Sequence, residues 1–200
     1  PAVRGEMNLL EWEFEGVVPR VAVLVPAWGA ADATYPVVVA LHGRGEARKA
    51  PAEGALGWPR DYALVRAIKR MSAPPLASAD AEGFITKERL AQMNRELVEK
   101  AFGGLIVVCP YLPDIDLTSA SDALGYGEFV VNTLLPRVRR ETPSLTGSAS
   151  TGIDGVSLGG AAALRIGLAH PNVFGAVGGL QPAIQQSEAG EYTDLVRAAR

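Results

Sequence analysis

The sequence predicts an α/β fold with a mostly parallel sheet and helices on both of its faces. Short, continuous apolar runs, typical of strands that are buried on both faces, recur along the 200 residues. Segments with apolar residues at helical spacing separate these runs. Strands that alternate with helices form an open sheet in which the helices make the crossovers. No segment has the length or composition of an interdomain linker, so we expect residues 1–200 to form a single domain.

The individual elements can be assigned in chain order. Residues 7–14 and 18–27 are short β-rich runs separated by Gly16, which predicts an opening antiparallel pair. Four continuous apolar runs then predict the parallel strands: YPVVVALHG (35–43), GGLIVVCPY (103–111), TGIDGVS (151–157) and VFGAVGGLQ (173–181). Three sets of apolar residues predict crossover helices: Ala63, Leu64, Ile68 and Met71; Leu90, Met93, Leu97 and Val98; and Phe129, Val130, Leu134 and Val138.

The connection over residues 44–102 is unusually long for one crossover. It contains two of the predicted helices, whereas a single helix would suffice. Long insertions beside an active-site edge often form lids or substrate walls, and extra scaffold would explain this length equally well. Trp58, Tyr62, Phe84 and Tyr111 could line an aromatic pocket there or belong to the core.

Composition excludes several classes of function. The formal net charge is −3, and the 19 basic residues are scattered, so we expect neither nucleic acid nor an anionic membrane as a partner. No apolar run reaches the roughly 18 residues of a membrane span. The two histidines and dispersed carboxylates lack metal-ligand spacing, and no phosphate-binding glycine loop is present, so no metal or cofactor is expected. The single cysteine, Cys109, is predicted to be a buried apolar residue.

A GxSxG motif centred on Ser157 carries the strongest chemical signal. It stands between a predicted strand end, GIDGV, and a predicted helix, LGGAAALRIGLAH, which is the context of a nucleophile elbow. Gly155 and Gly159 flank the serine because a side chain at either position would collide across the tight turn. We therefore expect Ser157 to be a nucleophile at the carboxyl edge of the sheet, with a structural serine as the alternative.

Backbone amides near Ser157 can form an oxyanion hole. The Leu158 N–H lies at a predicted helix N-terminus, where unpaired N–H groups favour developing negative charge. A second donor is expected from the turn in ALHGRGE, which ends a strand at the same sheet edge. Arg44 N–H is the preferred candidate and Gly43 N–H the next.

VVVALHGRGE followed by GIDGVSLGGAAALRIGLAHPNVFGAVGGL resembles the α/β-hydrolase superfamily, within it the group of esterase D, enterochelin esterase and antigen 85. The resemblance covers residues 1–44 and 103–181. It implies that Ser157 is the nucleophile and that His42 and Gly43 shape the oxyanion loop. It also implies a small-molecule, carbohydrate or lipid ester as substrate. The insertion over 44–102 departs in length from this group, so the individual substrate cannot be transferred.

The residue that activates Ser157 is not evident in the sequence. Members of this superfamily place an acid and then a histidine after the serine, on loops that follow later strands. His170 closes the helix after Ser157, about 18 Å away, so it is expected to cap that helix. His42 lies nearer, at the end of the neighbouring strand, and is a weak candidate base. Asp154 is interpreted as structural and Asp194 as solvent-facing.

Two classes of function remain open from the sequence. In the first, residues 1–200 are the N-terminal part of a serine esterase or acyltransferase, and the acid and histidine come from later sequence or from a second chain. In the second, the chain is a binding or assembly module with this fold and no triad. The chain starts at Pro1 without a signal peptide, so we expect that its N-terminus has been processed, trimmed or left out, and a secreted or periplasmic location stays open.

Overall fold

A computed structural model of the protein describes residues 3–16, 18–114 and 120–199. The strands are β1 (Met7–Glu13), β2 (Arg20–Pro26), β3 (Val37–Leu41), β4 (Ile106–Pro110), β5 (Thr151–Gly155) and β6 (Ala176–Val177). The α-helices are α1 (Arg44–Ala47), α2 (Pro51–Gly54), α3 (Leu64–Met71), α4 (Lys87–Glu99), α5 (Ala120–Phe129), α6 (Leu135–Glu141), α7 (Leu158–Ala169) and α8 (Ala189–Ala198).

The described strands form one six-stranded sheet in the order β1-β2-β4-β3-β5-β6. Strands β4, β3, β5 and β6 run parallel to one another. Strand β2 pairs with both β1 and β4 in antiparallel orientation. The sheet is therefore mixed, and the expectation of a mostly parallel sheet is only partly met. The opening hairpin causes the difference, because β2 joins the same sheet at the edge of β4 and both pairings of β2 are antiparallel.

The register of the central strands brings two turns to one edge. Leu41 at the end of β3 pairs with Gly155 at the end of β5. Immediately beyond this pair, the Val156 N–H donates to the Leu41 carbonyl over 3.1 Å. The turn after β3 and the turn after β5 thus leave the sheet side by side, as parallel strands require.

Helical segments cover both faces of the sheet. Alternate residues of the central strands, such as Val39 and Val108, pack with buried side chains of α5, α6 and α7. The residues between them, such as Ala40 and Val107, pack with Ala55, Leu56 and Ile68 of the 44–102 insertion. Cys109 is buried in this second layer, as predicted, and the burial raises the pKa of its thiol. Within the described ranges, no helix is both long and apolar enough to cross a membrane.

Helix α4 forms where predicted but does not cover the sheet. None of its residues is fully buried, and Val98 is 76% exposed. Its half-buried Leu90 and Met93 line a small cavity with residues of the insertion itself, and Asn94 binds the backbone of Leu76. The expected crossover role of α4 is therefore wrong, because the insertion residues Ala55, Leu56 and Ile68 already occupy this face of the sheet.

Candidate active site

Ser157 occupies a strained turn between β5 and α7. Its backbone angles, φ 54° and ψ −114°, lie in a region that residues other than glycine rarely adopt. Neighbouring backbone groups hold it there. Its N–H donates to the Leu180 carbonyl at 3.0 Å, and its own carbonyl accepts from the Ala161 and Ala183 N–H groups at 3.1 and 2.9 Å. Strain that the surrounding structure enforces in this way is a feature of functional sites.

The glycines on either side of the serine permit the turn to close. A Cβ atom added at Gly155 would lie 2.8 Å from the Gly160 nitrogen, and the Gly159 carbonyl would be nearer still. A Cβ atom added at Gly159 would lie 2.5 Å from the His42 carbonyl oxygen. The predicted collision across the turn is confirmed for Gly155. At Gly159 the collision is instead with the turn after β3, because α7 begins in contact with that turn.

His42 shapes the turn after β3 and is fully engaged within the fold. Its side chain is buried, and Nε2 accepts a hydrogen bond from the Leu112 N–H at 2.9 Å. Nδ1 lies 3.0 Å from the Gly43 carbonyl, so the acceptor role of Nε2 places the ring proton on Nδ1. Burial lowers the pKa of His42, since the charged imidazolium would lose its hydration. Neither ring nitrogen is left to serve Ser157.

The two oxyanion candidates in this turn differ in their bonding. The Gly43 N–H donates to the Tyr62 hydroxyl at 3.0 Å, so it cannot also face a substrate, and the expectation that it could replace Arg44 is wrong. Among the described residues, the N–H groups of Arg44 and Leu158 have no hydrogen-bond acceptor. The Arg44 side chain points elsewhere, with Nε 2.8 Å from an Asp114 carboxylate oxygen.

His170 lies at the far end of α7. Its backbone N–H donates to the carbonyls of Ile166 and Gly167, so the backbone closes the helix. The ring does not reach these carbonyls, contrary to expectation. Its Nε2 atom instead lies 3.8 Å from the Glu128 carboxylate, because α5 packs against α7 on this side.

The two aspartates considered from the sequence are placed as expected. Asp154 is half-buried on β5, where an added Cβ at Gly178 would meet its carboxylate at 2.9 Å, and burial raises its pKa. Asp194 is exposed on α8 beside Arg197. No side chain among the described residues forms a hydrogen bond with Ser157 Oγ. No group of three His, Cys, Asp or Glu side chains in the described ranges is arranged to hold a metal.

Aromatic residues considered from the sequence connect the insertion to its surroundings at the turn after β3. Tyr62 is hydrogen bonded to both Gly43 and the Glu46 carboxylate, and Tyr111 Oη donates to the Ala47 carbonyl at 2.6 Å. Phe84 is 91% exposed and, with Tyr62, lines an open cavity of about 260 Å³. The sequence reasoning did not identify Glu46 as a functional residue. The available signal was an acidic residue three positions after the HG pair, in a segment that returns to the sheet.

Comparisons with known proteins find esterases. Residues 114–191 match the sequence profile of a family described as "Putative esterase". The chain is similar to esterases of the α/β-hydrolase superfamily. This confirms the resemblance drawn from the two motifs. No curated protein sequence matches at a significant level.

Solved structures with the esterase fold extend the match to nearly the whole chain. A ferulic acid esterase from Anaeromyces mucronatus aligns with a TM-score of 0.53 at 18% identity, over 88% of this chain and 59% of its own. An S-formylglutathione hydrolase from Staphylococcus aureus aligns with a TM-score of 0.57 at 14% identity, over 97% and 66%. The enterobactin esterase of Shigella flexneri aligns with a TM-score of 0.53 at 17% identity, over 89% and 37%. The chain thus spans less than two thirds of the length of these relatives.

Proposed function

We propose that this chain carries the nucleophile and oxyanion hole of a serine ester hydrolase. The observation that carries the proposal is the backbone of Ser157, which stays in a strained conformation at the β5–α7 junction although a glycine would relieve it. Strain of this kind exposes a serine Oγ above the sheet edge in nucleophile elbows. The esterase fold and the family match over residues 114–191 support the same chemistry.

The proposed reaction is acyl transfer to water. Ser157 Oγ attacks the ester carbonyl carbon, and its proton passes to a general base. The N–H groups of Leu158 and Arg44, which have no acceptor within the described residues, receive the negative charge on the former carbonyl oxygen. The C–O bond to the alcohol then breaks, the alcohol leaves with a proton, and water hydrolyses the acyl-serine.

The general base is proposed to come from polypeptide outside these 200 residues. The chain contains two histidines. His42 uses both ring nitrogens within the fold, and His170 stands at the opposite end of a twelve-residue helix. A carboxylate and an imidazole from later sequence or from a second chain would complete the site. Mass spectrometry of the protein purified from its source would reveal either, as a mass above that of residues 1–200 or as a second polypeptide.

The proposed substrate is a small-molecule, carbohydrate or lipid ester. Solved relatives are described as a ferulic acid esterase bound to ferulic acid and an enterobactin esterase in the presence of enterobactin. The insertion is proposed to wall this substrate site, since Tyr62 and Glu46 already contact the turn after β3. We predict that a side chain of residues 44–102 lies within about 8 Å of Ser157 Oγ, a distance that one intervening side chain would span.

Ser157→Ala in the full-length protein tests the proposal. Hydrolysis of p-nitrophenyl acetate should fall by about a million-fold, because the nucleophile is lost, while the melting temperature stays within a few degrees. Ser187→Ala, at an exposed serine in the turn before α8, is the matched control and should retain full activity. A fluorophosphonate probe should label Ser157 alone, as peptide mapping would show. Turnover that survives Ser157→Ala would contradict the proposal.

A non-catalytic binding module is the second candidate. The position of both imidazoles favours it, because His42 is hydrogen bonded within the fold and His170 lies at the far end of α7. The two functions differ in one measurement: full-length protein that binds an ester, yet neither hydrolyses it nor reacts with the fluorophosphonate, would be a binding module.

A further inference from the structure

Tyr62 connects the turn after β3 to a buried carboxylate. The Gly43 N–H donates to Tyr62 Oη over 3.0 Å, and the same oxygen is hydrogen bonded to Glu46 Oε2. A phenol carries one hydrogen, whereas an ionised carboxylate can only accept. Since the Gly43 N–H uses the phenol oxygen as its acceptor, the phenol hydrogen is donated to Glu46. The hydrogen bonds therefore run in a single direction, from amide through phenol to carboxylate.

Close packing holds the side chains of Tyr62 and Glu46 in place. Glu46 is buried, and a Cβ atom added at Gly57 would lie 2.7 Å from its Cγ. The Trp58 ring stands perpendicular to the Tyr62 ring with their centroids 5.3 Å apart. Lys49 lies 3.6 Å from the other Glu46 oxygen and is itself bound to Asp61 at 2.6 Å. The phenol hydroxyl is therefore held in one position.

At Gly43, these hydrogen bonds reach the contact between the turn after β3 and the turn after β5. A Cβ atom added at Gly43 would lie 3.2 Å from Tyr62 Oη and 3.7 Å from the Val156 carbonyl oxygen. Gly159 meets the His42 carbonyl in the same region. Gly43 is thus enclosed between the insertion and the elbow, and any rotation of its peptide changes the contact with the elbow.

We infer that Tyr62 is a positioning residue for the oxyanion hole, and that Glu46 orients it. This inference rests on the proposed function. By accepting the Gly43 N–H, Tyr62 fixes the peptide between His42 and Gly43 and keeps that amide away from the substrate. The next amide, Arg44 N–H, has no acceptor within the described residues and is left to bind the ester oxygen. The pair thereby determines which of two successive amides serves the reaction.

Tyr62→Phe removes the hydroxyl while keeping the ring against Trp58. Loss of one oxyanion donor costs about a hundred- to a thousand-fold in turnover, and a displaced donor retains part of its effect, so kcat should fall about ten- to a hundred-fold. KM should stay within about twofold, because the Arg44 amide acts mainly in the transition state. Tyr35→Phe is the matched control, since it also removes a phenol hydroxyl that bonds within the fold, here to the Trp28 carbonyl, but Tyr35 stands before the opposite end of β3.

Glu46 variants supply a second measurement that survives a folding defect in Tyr62→Phe. Glu46→Gln keeps an acceptor for the phenol and should lose less than about threefold in kcat, whereas Glu46→Ala should lose about tenfold or more. Equal kcat values for the two variants would overturn the inference, as would a change confined to KM in Tyr62→Phe. Turnover that is abolished by Ser157→Ala but unaffected by Tyr62→Phe would refute the inference alone. Turnover that is independent of Ser157 would refute the proposed function, and the inference with it.

Discussion

Replacing Gly159 by alanine adds one methyl group where α7 begins against the turn after β3. The new Cβ would lie 2.5 Å from the His42 carbonyl oxygen and nearer still to the Leu41 carbonyl oxygen, where ordinary contact begins at 3.4 Å, so the two turns must separate by at least about 0.9 Å. Both partners are backbone, and neither can rotate away. Overpacking of this kind costs about 1–3 kcal/mol, which for a chain of this length lowers the melting temperature by roughly 2–12 °C. Misplacement by about 1 Å would also lower turnover about a hundred-fold.

Thermal unfolding followed by circular dichroism measures the stability effect, and p-nitrophenyl ester hydrolysis measures the effect on the site. Gly190→Ala is the matched control, because it also replaces the second residue of a helix, and an added Cβ there meets nothing within 4 Å. It should leave stability unchanged or raise it slightly, since alanine favours the helix. A Gly159→Ala protein with wild-type melting temperature and turnover would refute the packing argument for the elbow.

Three further predictions concern the rest of the molecule. Arg165 is 2% exposed and binds Glu188 and Glu191, so Arg165→Met should leave these two carboxylates unpaired and speed proteolysis within α8. The control Arg139→Met, at an exposed arginine, should not change the cleavage rate, and equal rates for the two variants would contradict the prediction. Burial holds the pKa of His42 below its usual 6.5, so the unfolded chain binds a proton at a higher pH than the folded chain does, and the free energy of unfolding should fall as pH drops below about 6.5. Urea unfolding of wild type and His42→Gln over this pH range measures the effect, and an identical pH dependence in both proteins would contradict it. Cys109 is buried with a raised thiol pKa and should react with a thiol reagent only after unfolding, so rapid labelling of native protein would show that this layer is open.

The elbow was predictable because its causes are local. The strand, the serine between two glycines and the alanine-rich helix follow one another within about twenty residues. The steric need for glycine at position 155 depends on that turn alone, whereas at position 159 it also depends on the turn after β3. The helix after it has the predicted length, which was enough to place His170 far from Ser157. The sequence likewise identified the strands of the described sheet, the opening pair from two β-rich runs and the parallel strands from continuous apolar runs. Burial on both faces leaves its mark on each of the central strands β3, β4 and β5 separately.

Contacts between distant segments could not be read in the same way. Helix α4 has an apolar pattern, yet the sheet face that would bury it is already covered by Ala55, Leu56 and Ile68, so its Val98 remains exposed. The ring of His170 faces Glu128 because α5 happens to pack there. Neither outcome depends on the sequence of the segment itself.

The sequence by itself determined the nucleophile candidate, the Gly155 turn that exposes it and the strands that present it, since each follows from backbone sterics and burial within one short segment. Only the tertiary structure decided which amide of the turn after β3 is left unpaired. That choice depends on Tyr62 and Glu46, sixteen residues apart, meeting at Gly43. An N–H group in a turn has no side chain to mark its role, so its function depends on which acceptor the fold brings within about 3 Å.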